Sequence, residues 1–241
     1  VALLLIFKKI IKSKLIKKIT LNYFYPNFFF LVKIFYQSAP ITAALFMISV
    51  GNFIILAYIS KFGEPSVAGY GAATRFEQIL LLPVLGLNTA IISIVGQNFG
   101  AKEFLRVKDS YFQAITYGTI IMILAGLIIF LSAEMIVNIF TKDVVVMNYG
   151  IIYLKISALI FPAYPIYFIS NGFFMALKKA SYAMNLNIIR NVLLPVPTIF
   201  FANIIGGSYK NFFWSYCLFN WIFACLLLFF VIYYIKNKLN F

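Results

Sequence analysis

The sequence GQNFGAKE, residues 96–103, separates two long apolar runs, one ending at Asn98 and the next beginning at Tyr111. Its two glycines allow the chain to turn, its amide side chains can bond the free carbonyls at a helix end, and charged residues follow at once. These are the properties of a membrane helix that leaves the bilayer. The stretch therefore indicates where one membrane span ends and the next one starts.

The composition is that of an integral membrane protein. Hydrophobic residues make up 63% of the 241 residues and the mean hydropathy is +0.98, whereas soluble domains are about 45–50% apolar. The net charge of +14, from 20 Lys and Arg against 6 Asp and Glu, could in principle indicate a nucleic-acid partner. The basic residues, however, lie in short connections between apolar runs, so we expect a membrane partner and no nucleic acid.

Metal and cofactor chemistry is not expected from this sequence. It has no histidine and two cysteines, Cys217 and Cys225. Eight residues on one predicted helix place these cysteines about 12 Å apart along its axis, too far for a disulfide between them. Without a histidine or a cysteine cluster we predict no metal site, no organic cofactor and no catalytic residue.

Six apolar runs predict an all-α membrane protein with six transmembrane helices, because a bilayer requires roughly 20 apolar residues for each span. The predicted spans are residues 28–59, 67–98, 111–136, 146–177, 182–205 and 212–235. Before them, Val1–Phe7 has the character of the end of a preceding helix. The basic segment Lys8–Lys18 that follows suits either an anionic membrane surface or a plain cytoplasmic linker.

Basic residues alternate between the connections. Those at residues 8–18, 102–108, 178–179 and 236–238 hold two to six each, and the connections between them carry about one each. By the positive-inside rule, both ends of the six-span unit should face the cytoplasm. An even number of spans also predicts that a preceding copy of the unit would have the same orientation, as in parallel-repeat transporters.

Ionisable and amide side chains inside the spans are candidates for a cavity or for ion coupling, because they are costly in a bilayer. They are Asn52, Arg75, Glu77, Asn88, Lys155, Asn171 and Arg190. Arg75 and Glu77 are two residues apart and so lie on different sides of their helix. For Glu77 the alternatives are structural anchoring and cation or proton handling. Arg190 and Lys155 likewise suit either a structural or a functional role, and the amides suit either a polar path or hydrogen bonds between helices.

Prolines within the spans remove backbone donors and can kink their helices. They are Pro40, Pro83, Pro162, Pro165, Pro195 and Pro197. Bent helices suit a lobe that moves around a cavity, although membrane helices without such a role also contain proline.

Three segments of the second span resemble the second helix, and the loop after it, in one half of multidrug and toxic compound extrusion (MATE) transporters. They are residues 67–77, 83–87 and 95–102, and the last includes the motif residues Gly96, Gln97, Asn98 and Gly100. Weaker matches at residues 153–156 and 174–179 are similar to the fourth helix of the C-terminal half and its following loop.

The resemblance implies a protein of twelve helices in two six-helix lobes, located in the cytoplasmic (inner) membrane. Such a protein exports cationic or amphipathic compounds in exchange for sodium or protons, by alternating access. Residues 28–241 would be the C-terminal lobe, and residues 1–27 the end of a preceding helix and the interlobe linker. The implied partners are small-molecule substrates, membrane lipids and the N-terminal lobe of the same chain.

One departure from the family concerns the coupling ion. Some subfamilies place coupling carboxylates in the first and fourth helices of this lobe, but neither span has an acid at its core here. The ion is therefore expected to bind mainly to the N-terminal lobe, with Glu77 as the local substitute. A close alternative is a lipid-linked sugar or polysaccharide flippase of the same superfamily, and a further one is a non-transporting assembly subunit. A membrane-embedded enzyme is disfavoured, because the sequence has no histidine and few acids in its spans, so we expect no enzyme activity.

Overall fold

The structure, a computed structural model, describes residues 28–238; the basic segment and the rest of residues 1–27 lie outside this range. The helices are α1 Phe28–Ile59, α2 Glu64–Leu80, α3 Leu82–Gly100, α4 Phe104–Phe140, α5 Val144–Ala158, α6 Tyr164–Ala176, α7 Ala180–Ile188, α8 Pro195–Ile204 and α9 Tyr209–Lys238. A π-helical turn, Ile189–Leu193, joins α7 to α8. Contacts divide the chain into two units after Ala39, and the packing described below is that of the unit from Pro40 onwards.

The expectation of an all-α protein with six membrane spans is confirmed. Five stretches in the described range are long and apolar enough to cross a bilayer, and the bent pair α5–α6 supplies a sixth. This pair bends by 44° near Pro162, which lacks the N–H that a continuous helix would use. Large apolar side chains such as Leu131 and Phe229 are exposed on the outer faces, as contact with lipid requires. The chain is a multi-pass membrane protein.

Helix breaks occur beside most of the prolines. The second span is interrupted at Leu81, two residues before Pro83, and the fifth at the π-helical turn. In that turn Leu194 N–H bonds the carbonyl of Ile189, five residues back, and Pro195 then begins α8. The remaining prolines lie in the 3₁₀ turn and first turn of the α5–α6 bend (Pro162, Pro165), within α8 (Pro197), and within α1 (Pro40, whose side chain is not among those described).

Two apolar cores hold the bundle together. The first lies among α2, α4, α5 and the start of α9 and includes the fully buried Ile129, Phe161 and Phe212. The second lies among α3, α4, α6 and the end of α9 and includes Phe173 and Phe174. The side of the bundle where α1, α2, α6 and the π-helical turn meet contains the polar residues described next.

Candidate functional site

Glu77 is a buried acid with two hydrogen-bond donors. Its side chain is 6% exposed. The Tyr164 hydroxyl, at the start of α6, donates a 2.6 Å hydrogen bond to Glu77 Oε1, and the Tyr153 hydroxyl, on α5, donates to Oε2. Each oxygen of the carboxylate therefore has a partner, which offsets part of the cost of placing a charge away from water.

The two tyrosines belong to the two halves of the fourth span. The α5–α6 bend lies between Tyr153 and Tyr164, so the position of the break determines that both hydroxyls reach one carboxylate on α2. Ring packing fixes Tyr153 further, because its ring contacts those of Tyr70 and Phe213 at centroid distances of 4.8 and 4.9 Å. The carboxylate of Glu77 thus rests on a rigid aromatic support.

Arg190 lies on the π-helical turn and is stacked on aromatic rings. Its guanidinium carbon is 4.2 Å from the ring centroid of Tyr167, 5.0 Å from that of Tyr164 and 5.7 Å from that of Phe168. Cation–π contacts of this kind stabilise a guanidinium that is partly removed from water. Among the residues described, no ion pair within 4.0 Å joins Arg190 to Glu77. Tyr164 connects the two instead, with its hydroxyl on the acid and its ring against the base.

Helix α1 holds the π-helical turn in place. A Cβ atom added to Gly51 would lie 2.3 Å from the carbonyl oxygen of Asn191, so only glycine allows this close approach of two backbones. The Asn191 side chain also donates a 3.0 Å hydrogen bond to the carbonyl of Asn187, on α7. Single π-helical turns inside helices are frequent at functional sites, and this one carries the Arg190 side chain.

A cavity of about 340 Å³, the first cavity, opens beside Glu77 and Arg190. Seven of its lining side chains are aromatic: Tyr70, Tyr153, Tyr164, Tyr167, Phe168, Phe213 and Tyr216. Its wall thus combines aromatic faces with one acid and one base. Ligand sites for organic molecules have this character, since they are concave, largely apolar and hold a few fixed polar groups.

A second cavity of about 280 Å³ shares a wall with the first, because Ile48, Tyr167 and Phe168 line both. It is lined by the amide side chains Asn88, Asn171 and Asn187 and by the methionines Met175 and Met184. The Tyr167 hydroxyl donates a 2.6 Å hydrogen bond to Asn187 Oδ1, which fixes the shared wall.

The structure brings together only some of the candidate residues. Glu77, Arg190 and Asn52 line the first cavity, and Asn88 and Asn171 line the second. Asn171 also donates a 3.4 Å hydrogen bond to the carbonyl of Ala183, and Asn88 Oδ1 is buried without a hydrogen-bond partner in the described part of the chain.

Two charged candidates lie away from the cavities. Arg75 is exposed on α2. Lys155 pairs with Glu134 of α4 at 3.5 Å, and both side chains are substantially exposed. An exposed pair of this kind contributes little to stability.

The GQNFGAKE stretch is helical for longer than we expected. Gly96 and Gly100 both lie in α3, so the expectation that these glycines turn the chain is wrong. The turn comes at Lys102, whose φ is 60°, and the Glu103 N–H bonds the carbonyl of Asn98 at 2.9 Å. This pattern closes a helix end with one residue in the left-handed region. The Asn98 amide does bond a helical carbonyl, that of Ile94, at 2.8 Å.

Sequence reasoning missed Tyr153, Tyr164 and Tyr167 as members of the site. All three lie in the middle of apolar stretches, where a buried hydroxyl needs a hydrogen-bond partner. That requirement is the signal that could have identified them, because few acids or amides in the spans are available to meet it.

Comparison with known proteins gives the family. The model of the MatE family matches residues 40–201. The probable multidrug resistance protein YpnP of Bacillus subtilis (strain 168) is 25% identical over 168 residues, which cover 69% of this chain and 38% of that protein. An FAD transporter of Shewanella oneidensis is 24% identical over 156 residues, 65% of this chain and 34% of that protein.

The fold agrees with this relationship. A solved multidrug resistance MATE family transporter of the MOP superfamily, in an outward-facing conformation, superposes with a TM-score of 0.83 at 20% identity, over 92% of this chain and 50% of the solved one. The chain therefore spans about half or less of the length of these proteins. Since the family model covers more than half of the 241 residues, the chain belongs to the MatE family of membrane transporters.

Proposed function

We propose that this chain is the C-terminal six-helix lobe of a secondary efflux transporter. The full-length protein exports cationic or amphipathic organic compounds across the cytoplasmic membrane, in exchange for sodium ions or protons. Relatives named after their cargo are multidrug proteins and an FAD transporter. These names favour efflux over a flippase, a membrane-embedded enzyme or an assembly subunit.

The position of Glu77 in the wall of the first cavity is the main support for this proposal. A buried carboxylate, held by the hydroxyls of Tyr153 and Tyr164, lines a cavity whose walls are largely aromatic. Ring faces attract organic cations, and a carboxylate can be neutralised by an organic cation, by sodium or by a proton. Competition between substrate and coupling ion for a common charge is one way to couple their exchange. Among the described residues, Glu77 is a buried carboxylate that allows such competition, while the N-terminal lobe supplies the main coupling-ion site.

The helix breaks give the lobe places at which it can flex during alternating access. The bend between α5 and α6 lies directly beside Tyr164, and the π-helical turn carries Arg190. A movement at either break changes the distance between the acid and the base across the first cavity. Binding of a cation at Glu77 therefore favours one arrangement of the breaks over the other, which is the differential interaction that a conformational change requires.

Orientation follows from the exposed basic residues. Lys102 and Arg106 lie at the α3–α4 connection, and Lys178 and Lys179 at the α6–α7 connection; all four are exposed. We infer that this end of the lobe faces the cytoplasm. Anionic headgroups of the inner leaflet are then its lipid partners.

The test uses the full-length transporter in a bacterial host without its own multidrug pumps, with ethidium accumulation as the readout. The wild-type protein lowers accumulation, and Glu77→Gln raises it back towards the level of the empty host. Glu64→Gln is the matched control, because Glu64 is exposed in the first turn of the same helix. Equal export by the two variants at equal membrane abundance removes Glu77 from the mechanism, and no export by the wild type contradicts the efflux function.

A further inference from the structure

We propose that Arg190 is an anion-binding contact of the first cavity, and that the cavity selects organic molecules that carry an acid group as well as a basic one. The inference rests on the proposed function, because it names the substrate class of the same site. In this arrangement the ligand's basic group binds at Glu77, and its carboxylate or phosphate binds at Arg190.

The wall of the first cavity carries one acid and one base. Glu77 and Arg190 are the acid and the base among its lining residues, and the remaining titratable residues there are tyrosines. With Glu77 ionised, the formal charges on the wall cancel. A ligand with a single positive charge is attracted by Glu77 and repelled by Arg190, whereas a ligand with both charges satisfies both groups.

The N–H donors of Arg190 can bind an acid group of the ligand. A guanidinium has five N–H donors in its plane, and in this protein its face is stacked on Tyr167 and Tyr164. Within the described range no carboxylate lies within 4.0 Å of Arg190 to accept from those donors. Stacking therefore holds the guanidinium by its face, and Arg190 also hydrogen-bonds the side chain of Tyr167. The remaining N–H donors can bind an acid group through two parallel hydrogen bonds.

Packing and hydrogen bonds hold Arg190 and Glu77 in fixed positions. Arg190 belongs to the π-helical turn that Gly51 of α1 contacts backbone to backbone. Glu77 is fixed by Tyr153 and Tyr164. Tyr164 thus lies between the acid and the base, with its hydroxyl on Glu77 and its ring against Arg190, and the two do not form an ion pair in the described part of the chain. The ring faces of Tyr70, Phe213 and Tyr216 in the same cavity provide apolar surface for the body of the ligand.

Two dyes with the same ring system provide the probe. Rhodamine 123 is a methyl ester with one positive charge, and rhodamine 110 is the corresponding free acid. Binding is measured by fluorescence polarisation on the purified full-length transporter in detergent. We expect the wild type to bind the acid at least as tightly as the ester. Arg190→Gln should weaken binding of the acid at least tenfold, or about 1.4 kcal/mol, and leave binding of the ester unchanged or tighter.

The controls separate charge from folding. Arg75→Gln removes an exposed arginine outside both cavities and should leave both affinities unchanged. Arg190→Lys keeps the charge without the planar fork, so it should retain more of the acid's affinity than Arg190→Gln does. If Arg190→Gln is too unstable to purify, Arg190→Lys is compared with the wild type instead. The lysine variant should then show a lower ratio of acid affinity to ester affinity than the wild type.

The outcomes distinguish the inference from the function on which it rests. Ester-only binding that Arg190→Gln does not alter, or an equal loss for both dyes, overturns the inference and leaves efflux through this lobe standing. Failure of the wild type to bind either dye contradicts the proposed function and the inference together.

Discussion

Replacing Gly51 by alanine tests how α1 and the π-helical turn form the wall of the first cavity. The added Cβ would lie 2.3 Å from the carbonyl oxygen of Asn191 and 2.9 Å from its carbonyl carbon. Ordinary contact begins at 3.4 Å, so the two segments must separate by about 1 Å. Because the obstructing atoms are backbone, no side-chain rotation can relieve the clash. Overpacking of this kind costs about 1–3 kcal/mol.

Gly71→Ala is the matched control, because Gly71 lines the same cavity on α2 and has no atom within 4 Å of the added Cβ. Both substitutions gain the same helix propensity, so the difference between them isolates the clash. A cost of about 1–3 kcal/mol lowers the apparent Tm of Gly51→Ala by about 2–12 °C relative to that of Gly71→Ala. This range uses about 2–4 °C per kcal/mol, the value for a domain of the size of this chain. The measurement is thermal unfolding of the purified full-length transporter, followed by intrinsic fluorescence. Equal melting temperatures for the two variants would refute the close backbone contact.

Three further substitutions test individual contacts by the same unfolding measurement. Tyr164→Phe leaves one oxygen of Glu77 without its donor and should lower the free energy of unfolding by about 1–3 kcal/mol. A cost no larger with Glu77 present than in the Glu77→Gln background would contradict this hydrogen bond. Asp143→Ala removes the side chain that accepts hydrogen bonds from the first N–H groups of α5 and should cost about 0.5–2 kcal/mol, whereas Asp143→Asn retains the cap; equal effects of the two would argue against capping. Lys102→Gly should stabilise the protein by about 1 kcal/mol, because Lys102 has a φ of 60°, while Lys179→Gly, at a φ of −103°, should not; the reverse order would be inconsistent with the turn described.

The membrane spans could be predicted from the sequence because hydropathy and the positions of proline and lysine are local properties. The six apolar runs were found at the correct places, and the break in the fourth span lies beside the predicted kink residue Pro162. The end of α3 was misplaced for a different reason. The sequence predicts the turn at Gly96 and Gly100, but the left-handed residue that closes the helix is Lys102, a residue type that rarely adopts this conformation.

The site could be predicted only in part. The cost of a charge in a bilayer identified Glu77 and Arg190 one by one, and the two-residue spacing placed Arg75 on another side of the helix. Nothing in the sequence paired Glu77 with Tyr153 and Tyr164, since these contacts join positions 76 and 87 residues apart. They depend on where the α5–α6 bend falls, which local patterns do not specify.

Gradient-driven ethidium transport by the full-length protein in proteoliposomes tests the role of Glu77 in exchange directly. Wild-type vesicles should move ethidium only when a sodium or proton gradient is imposed, and Glu64→Gln should behave in the same way. Glu77→Gln should lower the gradient-driven rate at least tenfold, a change of about 1.4 kcal/mol, because it removes the charge for which substrate and ion compete. A Glu77→Gln rate equal to that of Glu64→Gln, under either gradient, would show that the buried carboxylate of this lobe takes no part in exchange.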